Sequence, residues 1–278
     1  MKVWVCNDTH ETPEAVLKYT LELNGRVVNS GSVPAVVPTI QEAVSFQGYL
    51  PVEVPAVKQK STMVVRVGLF DKATGKAIHE DKMESAVYPT EKCSKQSRVY
   101  VVGESDDTKA ILEQFGLTEV VRSGEILPTD LVIVADSLLE TAMQSKIAAA
   151  VKAGARALLL KEAMSSKSSL FDLNLSVDVA DKDSWIVFRN VSHRWLAGSE
   201  STDLKYNYSS ALQAPERHYY RLFTAPEMTP VLTYREQMVV GEKQEGKGSW
   251  VICSLKLKGK LDTTQTLSRM VRKIVEGK

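Results

Sequence analysis

The hydrophobic period of the chain changes partway along. Through the first third, Val3 and Val5 alternate with Lys2, Trp4 and Cys6, and Leu17, Tyr19, Leu21 and Leu23 alternate with Lys18, Thr20, Glu22 and Asn24. A period of two sends one side of a strand into a core and the other into water. Asn24-Gly25 then leads into a strand at residues 26–30. Both central residues of a type I′ turn need positive φ, so this dipeptide predicts a hairpin. Residues 50–54 and 62–70 read as further strands, the latter turning at 71–75 and returning through 76–87. Pro34, Pro38, Pro51 and Pro55 fall at predicted strand ends, where a missing N–H costs the ladder least. Roughly six or seven short strands with no helical period predict an immunoglobulin-like β-sandwich over residues 1–92.

Residues 89–96 are polar, begin with Pro89 and have no period, as a linker does. From 97 onward, continuous apolar runs at 98–102, 131–135 and 157–160 alternate with helix-length segments at 106–115 and 138–153. Strands buried on both faces read this way, because crossover helices cover a parallel sheet from both sides. Ser105 or Asp106 caps the first helix, whose Ile111, Leu112 and Phe115 share a face, and Gly116 ends it. Residues 117–121 make a short strand. Leu138, Leu139, Met143, Ile147 and Val151 mark the next helix, closed by Gly154. Beyond Lys161 the pattern is less regular, with strands at 185–191, 219–223, 231–235, 238–243 and 250–257. A polar loop spans 193–208, and a final helix spans 263–275. The predicted fold is therefore β plus α/β: the sandwich, then a flavodoxin-like parallel-sheet α/β domain over residues 97–278.

Composition changes this picture little. A hydrophobic content of 44% and a net charge of +1 with scattered Lys and Arg favour neither nucleic acid nor an anionic membrane. No apolar run approaches the roughly 20 residues of a membrane helix. Cys6, Cys93 and Cys253 have neither metal-ligand spacing nor disulfide density. His10, His79, His193 and His218 form no ligand pair, so no metal or cofactor is expected. No signal peptide is read, because Lys2 already opens a strand; the chain reads as a piece of something longer.

Candidate chemistry is sparse. Ligands of open parallel sheets bind at the carboxyl ends of the strands, which here converge on Gly103, Glu104, Asp136, Ser137, Lys161 and Glu162. The plainer account makes these solvated loop residues and helix caps. Trp185, Trp195, Tyr206, Tyr208, Tyr219 and Tyr220 concentrate in the second domain, where such rings either stack on sugars or fill a core. Residues 245–249, Glu-Gly-Lys-Gly-Ser, lack phosphate-loop spacing and predict a hairpin turn. Asp106-Asp107 and Glu80-Asp81 are adjacent carboxylates with no spacing that would single out a glycosidic acid–nucleophile pair.

Residues 3–8, Val-Trp-Val-Cys-Asn-Asp, with the hairpin of 17–31 and Leu-Pro-Val-Glu-Val-Pro-Ala at 50–56, resemble the small β-sandwich domains of family 2 glycoside hydrolases. Residues 98–103, 131–136, 151–160, 191–198 and 246–253 resemble the class I glutamine-amidotransferase-like, or β-galactosidase trimerisation-like, domain that follows the sandwich in some of these enzymes. The two matches span nearly the whole chain on structural, not catalytic, motifs. An active amidotransferase carries a Gly-x-Cys-x-Gly elbow, whereas here residues 157–160 run into Lys-Glu-Ala-Met-Ser without cysteine. The resemblance thus implies a non-catalytic C-terminal part of a glycoside hydrolase. Such a part packs on an upstream catalytic barrel or builds a homo-oligomer, and the parent is exported, periplasmic or extracellular. Two alternatives stand beside it: a carbohydrate-binding module using the second-domain aromatics, and a small-molecule enzyme at the strand-end cleft.

Overall fold

The computed structural model describes residues 1–89, 93, 98–164, 170–180, 188–189, 192–199, 204, 208–209, 214–215, 219 and 221–278. The chain divides into two compact units, Met1–Glu91 and Lys92–Lys278.

The first unit contains β1 (Lys2–Cys6), β2 (Ala15–Leu23), β3 (Arg26–Ala35), β4 (Val44–Tyr49), β5 (Ser61–Asp71) and β6 (Ala77–Val87). An antiparallel sheet in the order β3-β2-β5-β6 faces a two-stranded sheet, β1-β4. The alternation read from the sequence is what joins the layers. Val3 packs with Leu17, Tyr19 and Leu50, and Val5 with Ala15 and Leu69. Asn24 and Gly25 take φ of 49° and 78°, as the hairpin requires. The strand expected at 50–54 is not formed. Leu50 still exchanges backbone bonds with Met1 (2.8 and 2.9 Å), but Pro51 and Pro55 have no N–H to continue a ladder. The strand lies just upstream, in β4. Its period is hidden by Gly48, at φ 98°, and by a register shift opposite Val3 and Trp4.

The second unit runs β7 (Val99–Val102), α1 (Asp106–Phe115), β8 (Val120–Val121), β9 (Leu131–Val134), α2 (Thr141–Ala153) and β10 (Arg156–Leu160). There follow β11 (Ser176–Val179), β12 (Phe188–Arg189), β13 (Tyr208–Ser209), β14 (Ala214–Pro215), β15 (Arg221–Thr224), β16 (Thr229–Tyr234), β17 (Gln237–Glu245), β18 (Gly248–Cys253) and α3 (Gln265–Glu276). One ten-stranded mixed sheet has the order β11-β15-β17-β18-β10-β9-β7-β8, with β16 pairing β12 and β17. The run β18-β10-β9-β7-β8 is parallel and its other pairings are antiparallel. Val99, Val101, Ile133 and Leu158 face Ile111 of α1 and Leu267, Val271 and Ile274 of α3. Tyr100, Val132, Val134 and Leu159 face Ile147 and Val151 of α2. Coverage of both faces is why these strands lack alternation.

Several boundaries differ from expectation. The second helix begins at Thr141, not 138, and Leu138 is 87% exposed. Asp136 Oδ1 accepts the Leu138 N–H (2.8 Å), and this local turn competes with helix. The strand expected at 250–257 ends at Cys253, after which Leu255 only bridges Tyr219. Within the expected polar loop, residues 194–196 form a 3₁₀ turn that buries Trp195 and Leu196.

The turn at 245–249 forms as expected, with Glu245 opposite Gly248 and Gly246 at φ 60°. A Cβ on Gly248 would lie 2.1 Å from the Ala155 carbonyl oxygen and 2.3 Å from that of Val151. Gly259, at φ 69°, has nothing within 4 Å. In chemical denaturation, Gly259→Ala is expected to cost about 1 kcal/mol, from backbone conformation alone. Gly248→Ala is expected to cost about 3 kcal/mol or more, because backbone must move.

Candidate functional site

The parallel strands stand in the order β8-β7-β9-β10-β18, so the chain leaves β7 toward one edge and returns on the other side at β9. The ends of β7 and β9 form the topological switch point, where an α/β sheet opens a crevice. Register brings the expected residues to that end. Val102 pairs with Val134, Val134 with Leu159, and Leu160 with Cys253, so Gly103 and Lys161 follow directly beyond paired strand ends and Asp136 lies one residue further on, after Ala135.

Here the crevice is narrow. Gly103, at φ 77°, would place a Cβ 2.8 Å from the Asp136 Cβ and 3.0 Å from the Ala135 carbonyl carbon. Asp136 is engaged by the Leu138 N–H, and exposed Glu104 lies 3.5 Å from the Arg122 guanidinium. Ser137 is half-buried. Lys161 and Glu162 join a different cluster. The Lys161 ammonium contacts the Asp107 carboxylate and lies 2.6 Å from Glu162 Oε1. Asp107, 1% exposed, also accepts the backbone N–H groups of Leu257 (3.1 Å) and Lys258 (2.8 Å) through Oδ1. Lys258 Nζ reaches Asp106 Oδ2 at 2.7 Å. The start of α1, the end of β10 and the segment after β18 are thereby tied at one carboxylate.

Electrostatics match that structural use. Burial pulls the Lys161 pKa down, but Asp107 and Glu162 outweigh it and hold the group above its ordinary value. At neutral pH Lys161 is an ammonium, not a base. Cys253 sits beside this cluster at the end of β18, and burial pushes its thiol up to about 12. A thiolate nucleophile is not available there.

Of the aromatics considered for sugar contact, Trp195 and Tyr219 are buried and offer no ring face to solvent. Trp185, Tyr206 and Tyr220 lie outside the described residues, and only the backbone of Tyr208 is described. Exposed aromatics occur instead in the first unit. Trp4 and Phe46 have ring centroids 4.8 Å apart, and Phe46 and Tyr49 5.5 Å apart. Trp4 and Tyr49 are 57% and 69% exposed. The signal available was Trp4 itself, on the polar phase of an alternating strand.

A second charged cluster, not anticipated from sequence, lies at the opposite end of the parallel strands. Glu242, buried in β17, takes both terminal nitrogens of Arg194, plus Gln244 Nε2 at 2.9 Å and His193 Nε2 at 3.2 Å. His193 Nδ1 lies 3.4 Å from the Trp195 N–H, which places the ring proton on Nε2. Both ring nitrogens are therefore occupied. Burial, with Arg194 and Lys273, lowers the His193 pKa against the pull of Glu242. A cavity of about 360 Å³ adjoins this cluster and is lined by Arg156, Ser249, Gln244 and Glu276 among others. The only sequence signal was a glutamate inside an apolar strand. No group of three or more His, Cys, Asp or Glu residues able to hold a metal occurs among the described residues.

Sequence comparison finds no matching family and no matching curated protein. Among solved structures, the chain is similar to the cold-adapted β-galactosidase from Rahnella sp. R3, with 14% identity, a TM-score of 0.44, and coverage of 64% of this chain and 31% of that one. It is also similar to an exo-β-1,4-mannosidase from an Opitutaceae bacterium, with 10% identity, TM-score 0.39, and coverage of 65% and 36%. A cytoplasmic protein from Salmonella typhimurium gives 9% identity, TM-score 0.40, and coverage of 72% and 91%. The chain thus spans about a third of the length of the two glycosidases.

Two predictions test the clusters. Asp107→Ala leaves two backbone donors and an ammonium without their acceptor, and is expected to destabilise the second unit by about 3 kcal/mol in denaturant titration. The His193 pKa is depressed on folding, so the unfolded chain binds the proton more tightly. The resulting stability is present above the unfolded value of 6.5 and is lost as pH falls below it. His193→Gln is expected to flatten the pH dependence of Tm below 6.5, removing a slope of at most about 1.4 kcal/mol per pH unit.

Proposed function

We propose that this chain is the non-catalytic, architectural C-terminal part of a family 2-type glycoside hydrolase. In this reading the first unit is an immunoglobulin-like sandwich and the second an amidotransferase-like α/β domain that has lost its chemistry. Together they pack on a catalytic barrel of the same polypeptide or build an oligomer interface, and the parent enzyme is exported and acts on glycans.

One observation carries the non-catalytic part of the proposal. At the carboxyl end of the parallel sheet, where an α/β enzyme keeps its reactive groups, the amine and the thiol are both held in unreactive forms. The Lys161 ammonium is held between the Asp107 and Glu162 carboxylates, Asp107 caps the Leu257 and Lys258 backbone, and Cys253 is a buried thiol. General base catalysis needs a group poised near neutral pH, and covalent catalysis needs an activated nucleophile. Lys161 is held as an ammonium and Cys253 as a thiol, which supports this reading.

The test compares the purified chain with a form extended upstream by a catalytic barrel, both assayed on a panel of aryl glycosides. Hydrolysis by the long form alone is the expected result, and turnover by the chain alone would overturn the proposal. Iodoacetamide at pH 8 gives an independent check. Exposed Cys6 is expected to be alkylated in the folded protein, with Cys253 labelled only after unfolding.

A further inference from the structure

The two layers of the first unit are unequal. The β1-β4 sheet has two strands and the sheet it faces has four, so β6 extends past the covering layer. Leu69 pairs with His79, Val67 with Asp81 and Val65 with Met83, so these β6 residues lie on the core-facing side of their sheet. Yet every residue from Ala77 to Ser85 is exposed. Along this overhang, between β6 and the outer edge of β1, runs a groove of about 820 Å³ that includes Val67, His79, Asp81 and Met83. That volume is within the range of ligand sites.

The edge bordering the groove is unpaired. Met1 exchanges bonds with Leu50, and the Asn7 N–H reaches the Ala43 carbonyl, so odd-numbered residues of β1 bond to β4. By the alternation of an antiparallel ladder, Lys2, Trp4 and Cys6 direct their N–H and C=O groups outward. The opposite edge of this small sheet is treated differently: Gln47 in β4 clasps the Val36 N–H and C=O, both at 2.8 Å.

We infer that the β1 edge and the groove beside it take one extended peptide strand, which pairs with the backbone of Trp4 and Cys6 and lays alternate aliphatic side chains over Val67 and Met83. The occupant is a single strand because Met63, Val65 and Leu69 of β5 are already buried, which leaves β6 uncovered, a width of one strand at about 4.8 Å per strand. A second copy docking through its own β1 edge would bring its own overhanging β6 against this one. The charges at the groove are Lys2, Asp8, Asp81 and Lys82, so the wall is mixed in sign. It selects a near-neutral alternating sequence over a highly charged tail. Backbone bonds supply affinity and alternate side chains supply selection, as in strand addition generally.

The test uses the full chain and blocked octapeptides that alternate Val, Ile, Leu or Phe with Thr. Amide hydrogen exchange is read at Lys2, Trp4 and Cys6. At about nine-tenths occupancy by the best binder, exchange at Trp4 and Cys6 is expected to slow about tenfold, while Val3 and Val5 are unchanged. N-methylating that peptide on one set of alternate residues is expected to abolish binding, and methylating the other set is expected to spare it. Equal effects of the two methylation patterns would overturn the inference. So would failure of every peptide to slow Trp4 and Cys6. Edge protection that grows with protein concentration in the absence of peptide would assign the edge to a second copy, and would overturn it too.

Discussion

A carboxylate that water barely reaches holds the second unit together. Asp107 sits in the first turn of α1, yet its partners are Lys161 at the end of β10 and the backbone after β18, about 150 residues away along the chain. Burying a carboxylate is costly unless its acceptor sites are filled, so these contacts must form as a set. Closure of the carboxyl end of the sheet, the position of α1 and the path of the chain toward α3 all follow from that requirement.

The amino ends of the strands repeat the solution with different residues. Glu242 is central there, with the Arg194 fork and His193 around it, and Trp195 turned inward beside them. Both ends of the parallel core are thus fastened by a buried carboxylate, one from a helix and one from a strand. The first unit has no comparable charged centre among its described residues and relies on apolar layer contact. Its surface is correspondingly apolar: of thirteen exposed large hydrophobics among the described residues, all but Leu138 and Val179 lie in the first unit.

What could be read beforehand divides along physical lines. Periods of two and continuous apolar runs report burial directly, so β2, β7, β9, β10, α1 and α3 were legible to within a few residues. So were the turns at Asn24-Gly25 and Gly246, where backbone conformation restricts the residue. β4 was not, because a glycine bulge breaks its alternation. The helix start at 138 was misplaced because a single Asp136 side chain captured the Leu138 N–H. Of the candidate site, the placement of Gly103, Asp136 and Lys161 at strand ends was legible, since topology alone brings them there. Their use was not. Whether Lys161 is a reactive amine or half of an ion pair depends on Asp107, brought to it only by tertiary folding, and the Arg194–Glu242 pairing joins residues 48 apart in sequence.

The position of β18 has a consequence for how the molecule is made. It is the last strand in the chain, yet it stands in the interior of the sheet, between β10 and β17. During synthesis, at about 5–20 residues per second, β7, α1, β9, α2 and β10 emerge first and wait with one side of β10 unpaired. The antiparallel strands that follow have no place on the parallel core until β18 arrives to join them. A nascent chain of this protein therefore carries an open apolar sheet edge while the residues from Leu160 to Cys253, about a third of it, are added, and shielding by the ribosome or a chaperone would matter most just before Cys253 is added.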